Sequence, residues 1–151
     1  MKNFILLLII SFTLSSCFLF QKYQKETFTY TGTNNQLNTI PVEVPKGNVR
    51  ATNNVDSSGN TERIYEYGGG TFLYVAHLKD TSKTFQTIDE SNALPHIHPL
   101  GGLVYKGVAL ELQFWREIRR GNFKLGYKNV SLELEPYFDS ATNFISLQNL
   151  K

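Results

Sequence analysis

The sequence predicts a mainly β fold: a β-rich α+β architecture in which an antiparallel sheet or small sandwich carries one C-terminal helix. Three observations predict it. Aromatic and β-branched residues recur in short alternating runs, with 11 Phe and 8 Tyr in the chain, and such residues suit a pleated, half-buried surface. Clusters of glycine, proline and asparagine punctuate these runs. Near the C-terminus the apolar spacing changes to a helical one.

The first strand is Thr27–Thr31, where Phe28 and Tyr30 alternate with threonines, and Gly32-Thr33-Asn34-Asn35 supplies turn chemistry. A second strand spans Thr39–Val44. Pro41 and Pro45 confine it to a sheet edge, because proline gives the ladder no donor. The polar stretch Asn48–Asn60 reads as a long loop or hairpin tip. Arg63–Tyr67 is the next strand, broken by Gly68-Gly69-Gly70, and Phe72–Leu78 follows as a more continuously apolar, central strand. Phe85–Ile88 reads as a short strand or a single helical turn. Ser91–Gly102 is irregular, interrupted by Pro95, Pro99 and two glycines.

Leu103–Val108 resumes strand character. Over Ala109–Arg120 the residues Leu110, Leu112 and Phe114 alternate like a strand, while Leu110, Phe114 and Ile118 also lie four apart as on a helix. The strand reading is favoured, with Arg119–Asn122 as a turn into Phe123–Tyr127. Beyond it Ser131 is a candidate N-cap, Glu133 and Glu135 suit a positive helix N-terminus, and Pro136 is tolerated in a first turn. Phe138, Ala141, Phe144 or Ile145, and Leu147 then form an apolar stripe at helical spacing, read as core.

The start of the chain has another character. Lys2 precedes an unbroken apolar run from Phe4 to Ile10, and Ser15 and Ser16 stand before Cys17, the single cysteine. A charged start, a short apolar stretch and small residues at the cut form the pattern of a secretory signal peptide. The run Phe4–Ile10 is too short to cross a bilayer, which takes about 20 apolar residues. Counting on to Phe20 gives a rival reading as an uncleaved signal anchor.

Leu14-Ser15-Ser16-Cys17 resembles the lipobox of bacterial lipoproteins. The resemblance covers the first 17 residues only. It implies cleavage between Ser16 and Cys17, a diacylglyceryl group on the Cys17 sulfur and N-acylation of the new amino group. It also implies attachment to the cell envelope, facing the periplasm or the cell surface. Phe18 is not the aspartate that retains many such proteins in the inner membrane, which favours the outer membrane. The expected organisation is a signal peptide over 1–16, a lipidated cysteine and tether over 17–26 and one β-rich domain over 27–151. Two or more acyl chains hold a protein on a bilayer without any spanning helix. In this reading Phe18-Leu19-Phe20 sits against the lipid interface.

Without its 16 leader residues the 151-residue chain keeps 135, enough to bury a core without staples. The chain carries 15 Lys+Arg against 13 Asp+Glu, so nothing suggests nucleic acid, whose binders show a clustered basic excess. Lipidation of Cys17 leaves no thiol for a disulfide.

His96-Ile97-His98 is the one feature with metal-ligand character, since residues two apart in an extended chain point the same way. A catalytic zinc needs a third protein ligand, for which His77, Asp89 and Glu90 are the candidates; an ordinary exposed loop is the plainer reading. Asp56–Glu62 offers several oxygens but lacks the acidic spacing of a calcium loop and reads as a solvated turn. Trp115, Arg116, Arg119 and Arg120 mix residue types favoured at binding hot spots and make a candidate interface. Nothing in the spacing of Glu111, Glu117, Glu133 and Glu135 selects a carboxylate pair. No Gly-x-Ser-x-Gly elbow, phosphate loop or His-Glu-x-x-His motif occurs. The expected function is a membrane-anchored envelope lipoprotein with a binding or assembly role and no cofactor beyond its covalent lipid, its partners being the membrane and an envelope protein. The rivals are a tethered metal enzyme using His96 and His98, and an inhibitor or immunity-type protein acting through Trp115–Arg120.

Overall fold

The computed structural model describes residues 22–32, 34–80, 95–97, 99 and 101–148. The leader, Cys17, Phe85–Ile88 and His98 lie outside the described residues. Among the described residues nine strands and a C-terminal helix form a β-rich α+β fold made of two antiparallel sheets.

A two-stranded sheet is the hairpin of β1 (Tyr23–Thr31) and β2 (Leu37–Pro45), in the register Phe28↔Ile40. β1 starts at Tyr23, so Tyr23–Glu26, expected in the tether, belong to a strand. Lys46 N–H closes this end of the hairpin on the Lys22 carbonyl at 3.0 Å. Both prolines of β2 are tolerated because a two-stranded sheet has only edge strands.

The seven-stranded sheet joins two meanders. One holds β3 (Arg50–Val55), β4 (Thr61–Glu66) and β5 (Phe72–His77); the other holds β6 (His96–Ile97), β7 (Leu103–Val108), β8 (Phe114–Arg120) and β9 (Phe123–Val130). The spatial order is β3-β4-β5-β9-β8-β7-β6, closed by the pairing of Val75 with Leu125. β5 therefore has a neighbour on each side, as its apolar run predicts.

Three expectations are corrected. Arg50–Val55 is a strand rather than part of a loop: pairing with β4 overrides the weak strand preference of Thr52, Asn53 and Asn54. Only Asp56–Asn60 turns. Both carboxylate oxygens of Asp56 accept hydrogen bonds inside that turn, from the amides of Ser58 and Asn60 and from Asn60 Nδ2, so its oxygens build the turn. Second, β8 begins only at Phe114; Leu110–Leu112 form a 3-10 turn with Glu111 and Leu112 at φ 63° and 56°. Third, the Ser131 carbonyl accepts from Leu134 and Glu135 in a separate turn. The helix α1 runs Glu135–Gln148, with Pro136 inside its first turn.

The hairpin and α1 cover the same face of the seven-stranded sheet. Phe28, Ile40, Val42 and Val44 from the hairpin meet Tyr65, Leu73, Val75, Val104, Ile118, Leu125 and Tyr127 from the sheet, and Phe138 and Ala141 from α1. Polar groups fasten the edges of this core. Arg63 pairs with Glu26 at 3.2 Å. Arg116 donates to Thr142 Oγ1 and Asn143 Oδ1, each at 2.7 Å. Tyr127 donates to Asp139 at 2.6 Å, and Lys106 pairs with Asp139 and Glu135.

Candidate functional site

The opposite face of the sheet carries a second set of buried polar groups, Tyr74, Glu117 and Glu62 among them, and strand alternation decides which side chains reach it. Ile118 pairs with Leu125 toward the core, so Glu117 and Arg119 point the other way, as do Lys124, Gly126 and Lys128 of β9 and Tyr74 of β5. Tyr74, Gly126 and Glu117 stand side by side on three adjacent strands. Gly126 leaves the space: a Cβ there would stand 2.5 Å from Tyr74 Oη and 2.7 Å from its Cζ. The phenol therefore crosses β9 and donates to Glu117 Oε2 at 2.5 Å. Tyr74 is 1% exposed and Glu117 0%.

The second oxygen of Glu117 is also taken. Arg119 Nε donates to Oε1 at 2.5 Å, and Lys124 Nζ lies 4.0 Å from it. The Arg119 guanidinium stacks on Tyr105 at 4.3 Å. Burial holds the Tyr74 hydroxyl well above its ordinary titration range, and the Glu117 charge adds to that. Burial lowers the Lys128 pKa, against the attraction of Glu117. Glycine and aromatic are matched once more on this face: Gly107 pairs with Trp115, whose indole occupies the space a side chain would fill.

Glu62 of β4 lies on the same face, 1% exposed. Asn54 donates to its Oε2 at 3.2 Å, while Oε1 has no hydrogen-bond partner among the described residues. Burial raises its carboxyl pKa, opposed by Asn54. Three strand spacings of about 4.8 Å separate β4 from β8, so the Glu62 and Glu117 backbones are roughly 14 Å or more apart. Of the carboxylates weighed for glycoside hydrolysis, Glu111 and Glu133 are exposed and Glu135 binds Lys106. Only Glu117 enters this face, and its oxygens are occupied. The arrangement suits a fixed, charge-assisted brace.

The other predicted residues are dispersed. His77 is buried on the core face, its ring 4.3 Å from Tyr30 and 4.9 Å from Phe123, and its Nδ1 has no hydrogen-bond partner among the described residues. Burial lowers its pKa, and Lys79 acts in the same direction. His96 is exposed on β6, four strands from β5, or about 19 Å at ordinary spacing. The two therefore do not share a site. Among the described residues no group of three His, Cys, Asp or Glu is placed to hold a metal.

Trp115–Arg120 does not form one surface. Trp115 and Arg119 point to the polar face; Arg116 and Arg120 point to the core side. Trp115 and Arg116 are each 7% exposed. The brace went unnoticed in the sequence, although a signal for it is there: glycines inside strand patterns, at 107 and 126, mark a close approach by another group. Comparison with protein-family models, curated proteins and solved structures finds no match to this chain.

Proposed function

We propose that the chain is a bacterial envelope lipoprotein, held through lipidated Cys17, whose β-rich domain serves a non-catalytic binding or assembly role. The observation that carries this reading is the lipobox Leu14-Ser15-Ser16-Cys17 directly behind an apolar leader. Two features support it. β1 starts at Tyr23, so the fold begins within a few residues of the anchoring cysteine. On the polar face Tyr74, Glu117 and Arg119 brace one another, which suits a rigid scaffold. No helix of the described residues is long and apolar enough to cross a membrane.

Metabolic labelling with an alkyne fatty acid tests the anchor. The parent chain takes up label, Cys17→Ser does not, and mass spectrometry of the native protein shows an acylated N-terminus at residue 17. A bare thiol with residues 1–16 still attached overturns the proposal. Crosslinking in intact cells then tests the assembly role: an envelope protein captured in stoichiometric amounts supports it, and turnover of a substrate by the purified chain refutes it.

A further inference from the structure

We propose that the end of the fold where the chain enters β1 is a membrane-contact surface, with aliphatic loop tips seated at the headgroup–acyl boundary of the bilayer. This rests on lipidation of Cys17 and adds to it an orientation and a second set of contacts.

The hydrogen bonds define this end. Lys46 N–H bonds the Lys22 carbonyl, Tyr67 Oη bonds the Pro45 carbonyl at 2.8 Å, and Val49 N–H bonds the Glu66 carbonyl at 2.8 Å. The starts of β1 and β3 and the ends of β2 and β4 therefore lie together. Antiparallel pairing adds the starts of β5 and β8 and the ends of β7 and β9. The connections at this end expose large aliphatic side chains: Val49 at 76%, Val108 at 52%, Leu112 at 71%, Leu132 at 63% and Leu134 at 44%. They belong to three separate links, β2–β3, β7–β8 and β9–α1, with Val108 at the end of β7 where the second link begins. Leu112 is presented from a left-handed backbone at φ 56°, a conformation leucine rarely adopts.

Charge does not explain these tips. Lys22, Lys25, Lys46, Arg50 and Lys128 at this end stand against Glu43, Glu66, Glu111 and Glu133, while Lys106 pairs with Glu135. The surface is apolar at its tips and close to balanced in charge, which suits the bilayer interface, where Leu and Val enter the acyl boundary and lysines stay among headgroups. The opposite end also exposes apolar residues, Leu37, Val55, Ile97 and Leu103. The tether decides between the two ends. From Cys17 to Lys22 is five residues, a reach of at most about 18 Å. The far end lies a further six-residue strand away, about 20 Å.

The test uses the mature lipidated chain reconstituted into phosphatidylcholine vesicles containing doxyl-labelled lipid. Cys17 is the one cysteine, so once it is acylated an introduced thiol is the only one. Leu112→Cys, Leu132→Cys and Val55→Cys each receive an environment-sensitive fluorophore. Quenching at 112 and 132 is expected to exceed that at 55 by at least threefold. Equal quenching at the three positions, strong or absent, overturns this inference alone. A chain that does not float with the vesicles overturns the anchoring reading and this inference with it. The sites are solvent-exposed in two different links, so a fault in one labelled turn is exposed by the other.

Discussion

Tyr74 and Tyr65 allow one chemical change to be made twice in opposite surroundings. Both are fully buried tyrosines on neighbouring strands, at 1% and 0% exposure. Tyr74 Oη donates to a buried carboxylate at 2.5 Å, whereas Tyr65 Oη makes no well-formed hydrogen bond among the described residues, the Arg63 guanidinium lying beside it, and burial pushes its pKa up to about 12. Removing the Tyr74 hydroxyl deletes a charge-assisted hydrogen bond and leaves Glu117 Oε2 buried and unmet, so Tyr74→Phe should cost about 2–3 kcal/mol. Removing the Tyr65 hydroxyl deletes a group whose burial already carries a penalty, so Tyr65→Phe should be neutral or stabilise by about 1 kcal/mol. Urea unfolding at pH 7, followed by the fluorescence of Trp115, gives both values on one scale. A loss below about 0.5 kcal/mol for Tyr74→Phe, or an equal loss for the two variants, would refute the brace and the reasoning behind it.

Other perturbations read other parts of the fold. His77 titrates below its ordinary value of 6.5 when folded, so the unfolded chain takes up the proton first as pH falls. Its contribution is present above 6.5 and is lost as pH drops through the folded value; His77→Phe should flatten the decline in urea midpoint between pH 7.5 and 5.5. Glu62 has the opposite sign. Its folded carboxyl lies above 4.5, so parent stability relative to Glu62→Gln should be greatest below that pH and decline as pH rises through the shifted value; a variant equal to the parent at all pH values contradicts this. Arg116→Ala removes donors to Thr142, Asn143 and the Asp139 carbonyl and should cost about 2–4 kcal/mol, with faster hydrogen exchange over 137–143. Unchanged exchange there would mean that α1 docks without it.

Apolar alternation made much of the sheet legible. Phe72–Leu78 reads as central and has neighbours on both sides, and the helical spacing of Phe138 and Ala141 buries both. What escaped depends on partners distant in the chain. Arg50–Val55 has no apolar stripe and becomes a strand only through its register with β4. Phe123–Val130 occupies the middle of the sheet although Lys124, Gly126 and Lys128 alternate along it, because that side faces a buried carboxylate. Trp115–Arg120 reads as one patch in sequence, yet period-two alternation sends Arg116 to α1 and Arg119 to Glu117. His77 and His96 are remote in space, since three strands stand between β5 and β6.

The seam where Val75 meets Leu125 also sets an order of assembly. Within each meander, sequential strands pair, so each half can form from local hairpins. The seam joins residues fifty positions apart, and its loop-closure entropy is met before any of its contacts form. The halves therefore zip early and dock late, on the slow millisecond-to-second scale of non-local sheets. Until they dock, the inner edges of β5 and β9 stay open, and a chaperone that shields strand edges would act during that interval.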